Sequence, residues 1–117
     1  MSEGTVTAPA PQWVLRGTLP SGEALAFRLL PGGPRTVGRA VRADFIVDAP
    51  LVSRCHCRLD VNGDGRLRVE DLDSTNGTFV NGRRVDHAVL APGDVLRVGR
   101  AQLVVERAVA LPEATEA

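Results

Sequence analysis

A chain of 117 residues that is 44% hydrophobic, with no continuous apolar run of membrane-spanning length, has material for one domain with an ordinary core and excludes a helical span. Its fourteen basic residues, all arginine, balance fourteen acidic ones to a formal net charge of zero; this excludes long-range attraction to nucleic acid or an anionic membrane and leaves only local clusters. Two cysteines one residue apart, Cys55 and Cys57, suit neither a disulfide framework nor a two-pair zinc site, and with no basic leader in 1-MSEGTVTAPAP-11 the expectation is a soluble, cytoplasmic protein.

Residues 1–11, rich in Ala, Pro and Thr, read as a flexible N-terminal tail, 12–108 as the domain, and 109–117 as a flexible C-terminal tail. In chain order the domain offers 12-QWVLRGTL-19, 24-ALAFRLL-30, 35-RTVG-38, 44-DFIV-47, 55-CHCRL-59, 66-RLRVE-70, 78-TFV-80, 95-VLRVG-99 and 101-AQLVVER-107. These segments alternate or run apolar in strand fashion, and PSGE, PGGP, NGDG, STNG, NG and APGD turns separate them. No window holds a helical stripe. The pattern predicts an all-β chain, an antiparallel β-sandwich.

One segment, 60-DVNGDGRLRVED-71, places Asp60, Asn62, Asp64, Gly65 and Asp71 in the order of a calcium-gripping loop. Such a loop needs a helix behind it to carry in its last carboxylate. Both flanks here read as strands, and Asn62-Gly63 and Asp64-Gly65 are hairpin dipeptides, so the segment reads as a turn with calcium as the alternative. Trp13 is expected to lie too far from it to report on it.

Three polar segments stand at strand ends and in loops, where a rigid scaffold displays functional groups: 38-GR-39, 53-SRCH-56 and 74-STNGTFVNG-82. In this order and spacing, with 44-DFIV-47, 71-DL-72 and 92-PGDVLRVG-99 around them, they closely resemble the forkhead-associated domain from about Trp13 to Glu106. That family recognises phosphothreonine peptides. The resemblance implies a sandwich of about eleven strands, a Thr-phosphorylated protein or peptide as partner, a place in Ser/Thr kinase signalling, and neither cofactor nor catalysis. By the family pattern Arg39, Ser53, Arg54 and Thr75 contact the phosphothreonine, and Asn76 pairs with the peptide main chain just after it. Gly38, His56, Gly77 and Asn81 are architectural, with His56 tying two binding loops together.

These residue types suit the task. A phosphothreonine carries close to two negative charges and three strong acceptor oxygens, so its site combines guanidinium, hydroxyl and N–H donors. Asparagine, both donor and acceptor, holds an extended chain as a neighbouring strand would. Arg83 and Arg84 read as a solvated turn, with a contact to an acidic peptide as the sharper option. Leu51 stands where the family can carry a basic residue, so no acidic requirement at the matching peptide position is implied.

Other chemistries are weaker. Cys55, His56 and Cys57 suggest a metal, but in a strand residues 55 and 57 point to the face opposite 56. A Ser53–His56 nucleophilic pair lacks an elbow and an orienting acid. The alternative function is a phosphate-independent interaction scaffold. Thr5, Thr7 or Thr115, once phosphorylated, would allow a tail to occupy the chain's own site.

Overall fold

The computed structural model describes residues 11–30, 32–63 and 65–109. Among them are eleven strands and no helix, hence none long and apolar enough to cross a membrane. In chain order the strands are β1 Pro11–Thr18, β2 Ala24–Leu29, β3 Arg35–Gly38, β4 Phe45–Ile46, β5 Cys57–Val61, β6 Leu67–Asp71, β7 Thr78–Val80, β8 Arg83–Val85, β9 His87–Leu90, β10 Val95–Val98 and β11 Ala101–Val109. They form a five-stranded sheet, β9-β6-β5-β3-β4, and a six-stranded sheet, β2-β1-β11-β10-β7-β8.

The alternation that marks strands in the sequence is the alternation of burial. Along β5, Cys57, Leu59 and Val61 are buried while Arg58 faces out, and on β6 Leu67 and Val69 are buried between exposed Arg68 and Glu70. Leu15, Leu29, Leu96, Leu103 and Val105 from the six-stranded sheet meet Val37, Leu59, Leu67, Val69 and Leu90 from the other in one core. Each such side chain contributes about 1.5–3 kcal/mol by leaving water. Phe27 and Phe45, rings stacked at 4.6 Å, belong to strands of different sheets.

Four departures from the sequence reading have local causes. First, β3 and β4 run parallel, Val37 opposite Phe45 and Gly38 opposite Ile46, because the chain crosses over through residues 39–44 instead of turning back. Second, Arg83 and Arg84 lie in strand β8. The turn before them is Asn81-Gly82 alone, with φ of 52° and 82°, a two-residue hairpin loop that leaves Val80 opposite Arg83. Third, β9 has no counterpart among the predicted segments. Fourth, β5 begins at Cys57, so Cys55 and His56 belong to the preceding loop.

The segment around 62–66 is the β5–β6 hairpin, Val61 opposite Leu67, with the Asn62 amide donating to the Arg66 carbonyl at 3.0 Å. Asn62 Oδ1 accepts from the Arg66 amide at 3.0 Å. Asp64 lies outside the described residues. Trp13 is not remote: its indole Nε1 donates to the Gly65 carbonyl at 3.0 Å across 52 residues of sequence.

The pairing decides which loops share an end of the sandwich. Val37 opposite Cys57, Cys57 opposite Asp71, and Thr78 opposite both Val85 and Val98 bring loops 39–44, 47–56, 72–77 and the 99–100 turn together. The 62–66 and 81–82 hairpins and the 91–94 turn sit at the other end.

Candidate functional site

Loop 39–44 leaves β3 through Gly38, which tolerates no side chain: a Cβ there would stand 2.0 Å from the Arg54 carbonyl oxygen. That closeness is what lets the Arg39 amide donate to the Ser53 carbonyl at 3.0 Å and the Ala40 amide to the Arg54 carbonyl at 3.2 Å. Two loops are thereby zipped by backbone bonds, and the side chains of Arg39 and Arg54 are exposed beside them.

His56 is fully buried. Its Nδ1 accepts from the Ser53 amide at 3.0 Å, which fixes the proton on Nε2, and Nε2–H donates to the Gly77 carbonyl at 2.8 Å. One ring thus fastens loop 47–56 to loop 72–77. Ser53 Oγ adds a second tie by accepting from the Thr75 amide at 3.0 Å, which leaves its own hydroxyl proton free to donate outward. Asn76 Nδ2 donates to the Leu51 carbonyl at 3.1 Å. Leu51 is held at a φ of 70°, unusual for leucine, with Gly99 packed so tightly behind it that a Cβ on Gly99 would lie 2.7 Å from the Pro50 oxygen. Gly77 has a φ of 92°, which glycine adopts without cost.

Asp71, which the sequence offers as a calcium position and as part of the 71-DL-72 pattern but without a role at the site, is the hub beneath loop 72–77. Its Oδ1 accepts from the Ser74 hydroxyl at 2.6 Å and the Thr78 hydroxyl at 2.7 Å, and its Oδ2 accepts from the Ser74 amide at 3.1 Å. Ser74 Oγ in turn accepts from the Gly77 amide at 2.9 Å. The available signal was an Asp followed three residues later by a Ser, a pair that closes local side-chain-to-backbone bonds. Burial opposes ionisation of Asp71, but these hydrogen bonds outweigh it and hold the carboxyl below its ordinary 3.8.

The sign of the pH dependence follows. A lowered folded value gives stability that is complete above pH 3.8 and is lost as pH falls through the folded value. Asp71→Asn, whose amide group turns a donor towards the Ser74 N–H, costs about 1–3 kcal/mol at neutral pH. Urea unfolding followed across the acid range checks this: the variant's stability falls less steeply than the wild type's below pH 3.8.

Of the residues singled out in the sequence, Gly38, Arg39, Ser53, Arg54, His56, Thr75, Asn76 and Gly77 share one end of the molecule. Asn81 does not. It lies past the far end of β7, where Nδ2 donates to Asp94 Oδ1 at 3.0 Å and Oδ1 accepts from the Val95 amide at 2.9 Å, so its placement is that of a hairpin-to-turn clasp.

The strand alternation that argues against a metal does not hold here, because Cys55 and His56 precede β5: His56 and Cys57 are both buried and Cys55 alone is exposed. What opposes a metal is that both His56 nitrogens are occupied and that burial, with the Asp71 charge, pushes the Cys57 thiol up to about 12. For calcium, the last carboxylate in the pattern, Asp71, has both oxygens turned to Ser74 and Thr78 at the opposite end from the 62–66 turn. Thr5, Thr7 and Thr115 lie outside the described residues.

Chemically, the loop end brings together the guanidinium groups of Arg39 and Arg54 and the hydroxyls of Ser53 and Thr75, with the exposed Arg42 and Arg100 on the loops around them. Among the described residues the ion pairs are Arg16–Glu106 and Arg58–Glu70, so neither Arg39 nor Arg54 is neutralised. This is a surface for an anion laid across loop tips. An open depression of about 500 Å³ lies elsewhere, over Arg58, Asp60, Arg68 and His87 on the outer face of the five-stranded sheet.

The model of the family described as FHA domain matches residues 35–99, over half of the chain. The ABC transporter ATP-binding/permease protein Rv1747 of Mycobacterium tuberculosis is 45% identical over 75 residues, covering 64% of this chain and 9% of that protein. The glycogen accumulation regulator GarA of Mycolicibacterium smegmatis is 41% identical over 96 residues, covering 74% of this chain and 60% of that protein. The chain thus spans less than two thirds of the length of either relative. A solved structure from work on phosphothreonine-dependent FHA domain interactions superposes with a TM-score of 0.70 at 33% identity, covering 80% of this chain and 95% of that one. The chain belongs to the FHA, or forkhead-associated, domain family.

Proposed function

We propose that the chain is a phosphothreonine-dependent peptide-binding module, working in Ser/Thr kinase signalling in the cytoplasm and carrying out no reaction of its own. The carrying observation is the Ser53–Thr75 tie: because Ser53 Oγ accepts from the Thr75 amide at 3.0 Å, its own proton is left for another acceptor, beside the exposed Thr75 and beside Arg39 and Arg54, which form no ion pair among the described residues. In this reading Arg39 and Arg54 neutralise the phosphate, the Ser53 and Thr75 hydroxyls donate to its oxygens, and Asn76 holds the peptide main chain. Gly38, His56 and Gly77 keep the loops in register. The work on phosphothreonine-dependent interactions in a structural relative supports the same ligand.

Calorimetric titration with three matched peptides tests the proposal. The phosphothreonine peptide binds and its unphosphorylated twin does not; the phosphoserine version, lacking one methyl, binds less tightly by about 1–3 kcal/mol. Equal binding of the first two would replace this reading with a phosphate-independent scaffold.

A further inference from the structure

The sequence treats Arg84 as part of a turn, whereas the structure sets it on β8 in a row that crosses three strands. Arg84 pairs with Phe79 on β7, and Phe79 pairs with Arg97 on β10. Thr78 is buried and Val80 packs against the core, so the residue between them, Phe79, points out of the six-stranded sheet together with its two partners. The Arg97 guanidinium stands 4.1 Å from the Phe79 ring centroid and its Nη1 donates to the Gly99 carbonyl at 3.3 Å, which pins it near the loop end. Arg84 lies over Gly77: a Cβ built there would be 2.8 Å from its Nε and 3.1 Å from its Cζ.

That contact brings a positive charge to the residue that follows Asn76 and whose carbonyl His56 holds. Nothing among the described residues neutralises it. Among the described residues Arg84 and Arg97 have no carboxylate within ion-pair distance, and the next residue in the row beyond Arg97 is the neutral Gln102. In a chain of zero net charge this row is a local excess, set apart from the loop-tip donors.

We propose that Arg84, with Arg97 beside it, forms a second anion subsite that takes the carboxylate of an Asp or Glu side chain flanking the phosphothreonine in the same peptide. The proposal rests on the phosphothreonine reading of the loop end. Reach is adequate: two Cα steps from Thr75 to Gly77 span at most about 7.6 Å, and an extended peptide advances about 3.3 Å per residue. A side chain two or three residues from the phosphothreonine therefore arrives at the Arg84 fork, which is planar and suited to a carboxylate. Arg84 is solvent-exposed and Arg97 half-buried, so the subsite acts as a selector laid over a site whose main affinity comes from the phosphate.

The test uses three peptides that share one phosphothreonine: one with Gln at the second and third positions on both sides, one with Glu at those positions before it, and one with Glu after it. The wild-type chain binds one of the Glu peptides about two- to fivefold more tightly than the Gln peptide at low salt, an advantage that shrinks as salt is added. Arg84→Gln removes the advantage while leaving affinity for the Gln peptide in place, Arg97→Gln reduces it, and Arg83→Gln, at the exposed neighbour on β8, preserves it. Phosphate-dependent binding with no Glu advantage, or an advantage that survives Arg84→Gln, overturns this inference alone. Failure of every phosphopeptide to bind overturns the reading of the loop end and this inference with it.

Discussion

Replacing Arg39 by alanine lowers affinity for a phosphothreonine peptide by about 2–5 kcal/mol, because a desolvated phosphate is left without a charge-assisted partner. That corresponds to a loss of roughly thirtyfold to several thousandfold. The fold should barely register the change. Arg39 is exposed, forms no ion pair among the described residues, and ties its loop to the next through its backbone amide, which alanine retains. Surface substitutions of this kind stay within about 0.5 kcal/mol in stability. Calorimetry and urea unfolding on the same sample separate the effects: affinity collapses while the unfolding midpoint and slope hold. Undiminished affinity would remove Arg39 from the phosphate's contacts, and a collapse of both would mean that the loop itself depends on the side chain.

The strands with strong alternation were legible because their partners in the core are apolar whatever pairs beside them. Leu67, Val69, Leu103 and Val105 are buried in the pattern their spacing announces. By contrast, β8 and β9 exist through their neighbours. Arg83-Arg84-Val85 becomes a strand by pairing with β7, and His87–Leu90 by pairing with β6, with only Leu90 fully inside. No local signal separates such segments from a polar loop. At the loop end, Gly38, Arg39, Ser53, Thr75 and Asn76 were visible as polar punctuation between strands. The supports beneath them were not, since Asp71 acquires its role only when the fold brings the Thr78 hydroxyl within 2.7 Å of its carboxylate. The apparent strand start at Cys55 misled for a related reason: CHCRL alternates, but the two bonds of His56 draw residues 55 and 56 into the loop. The sequence leaves Trp13 remote from the 60–71 loop, whereas the sandwich brings its indole to the Gly65 carbonyl across 52 residues.

His56→Ala should cost the fold about 3–5 kcal/mol, the sum of a buried cavity and two orphaned backbone groups. The ring is fully buried, and both nitrogens bridge segments that have few other ties. Without it the Gly77 carbonyl loses its donor and the Ser53 amide its acceptor, in positions that a single water would have to serve simultaneously. Remaining bonds are local or single: Gly77 keeps Ser74 Oγ, the Leu72 amide keeps the His56 carbonyl at 3.0 Å, and nearer the tips loop 47–56 keeps loop 72–77 through Ser53–Thr75 and Leu51–Asn76. Those two bonds involve the residues assigned to the phosphate and the peptide main chain, so a mobile frame displaces the contacts themselves. Phosphopeptide affinity therefore falls in a variant whose mutated side chain touches no ligand. Because both changes act on one assembly, Arg39→Ala on top of His56→Ala costs less binding than it does alone. A double-mutant cycle by calorimetry, run below the variant's unfolding temperature, measures that coupling. Full additivity would mean that Arg39 reaches the phosphate without help from the ring that joins the loops.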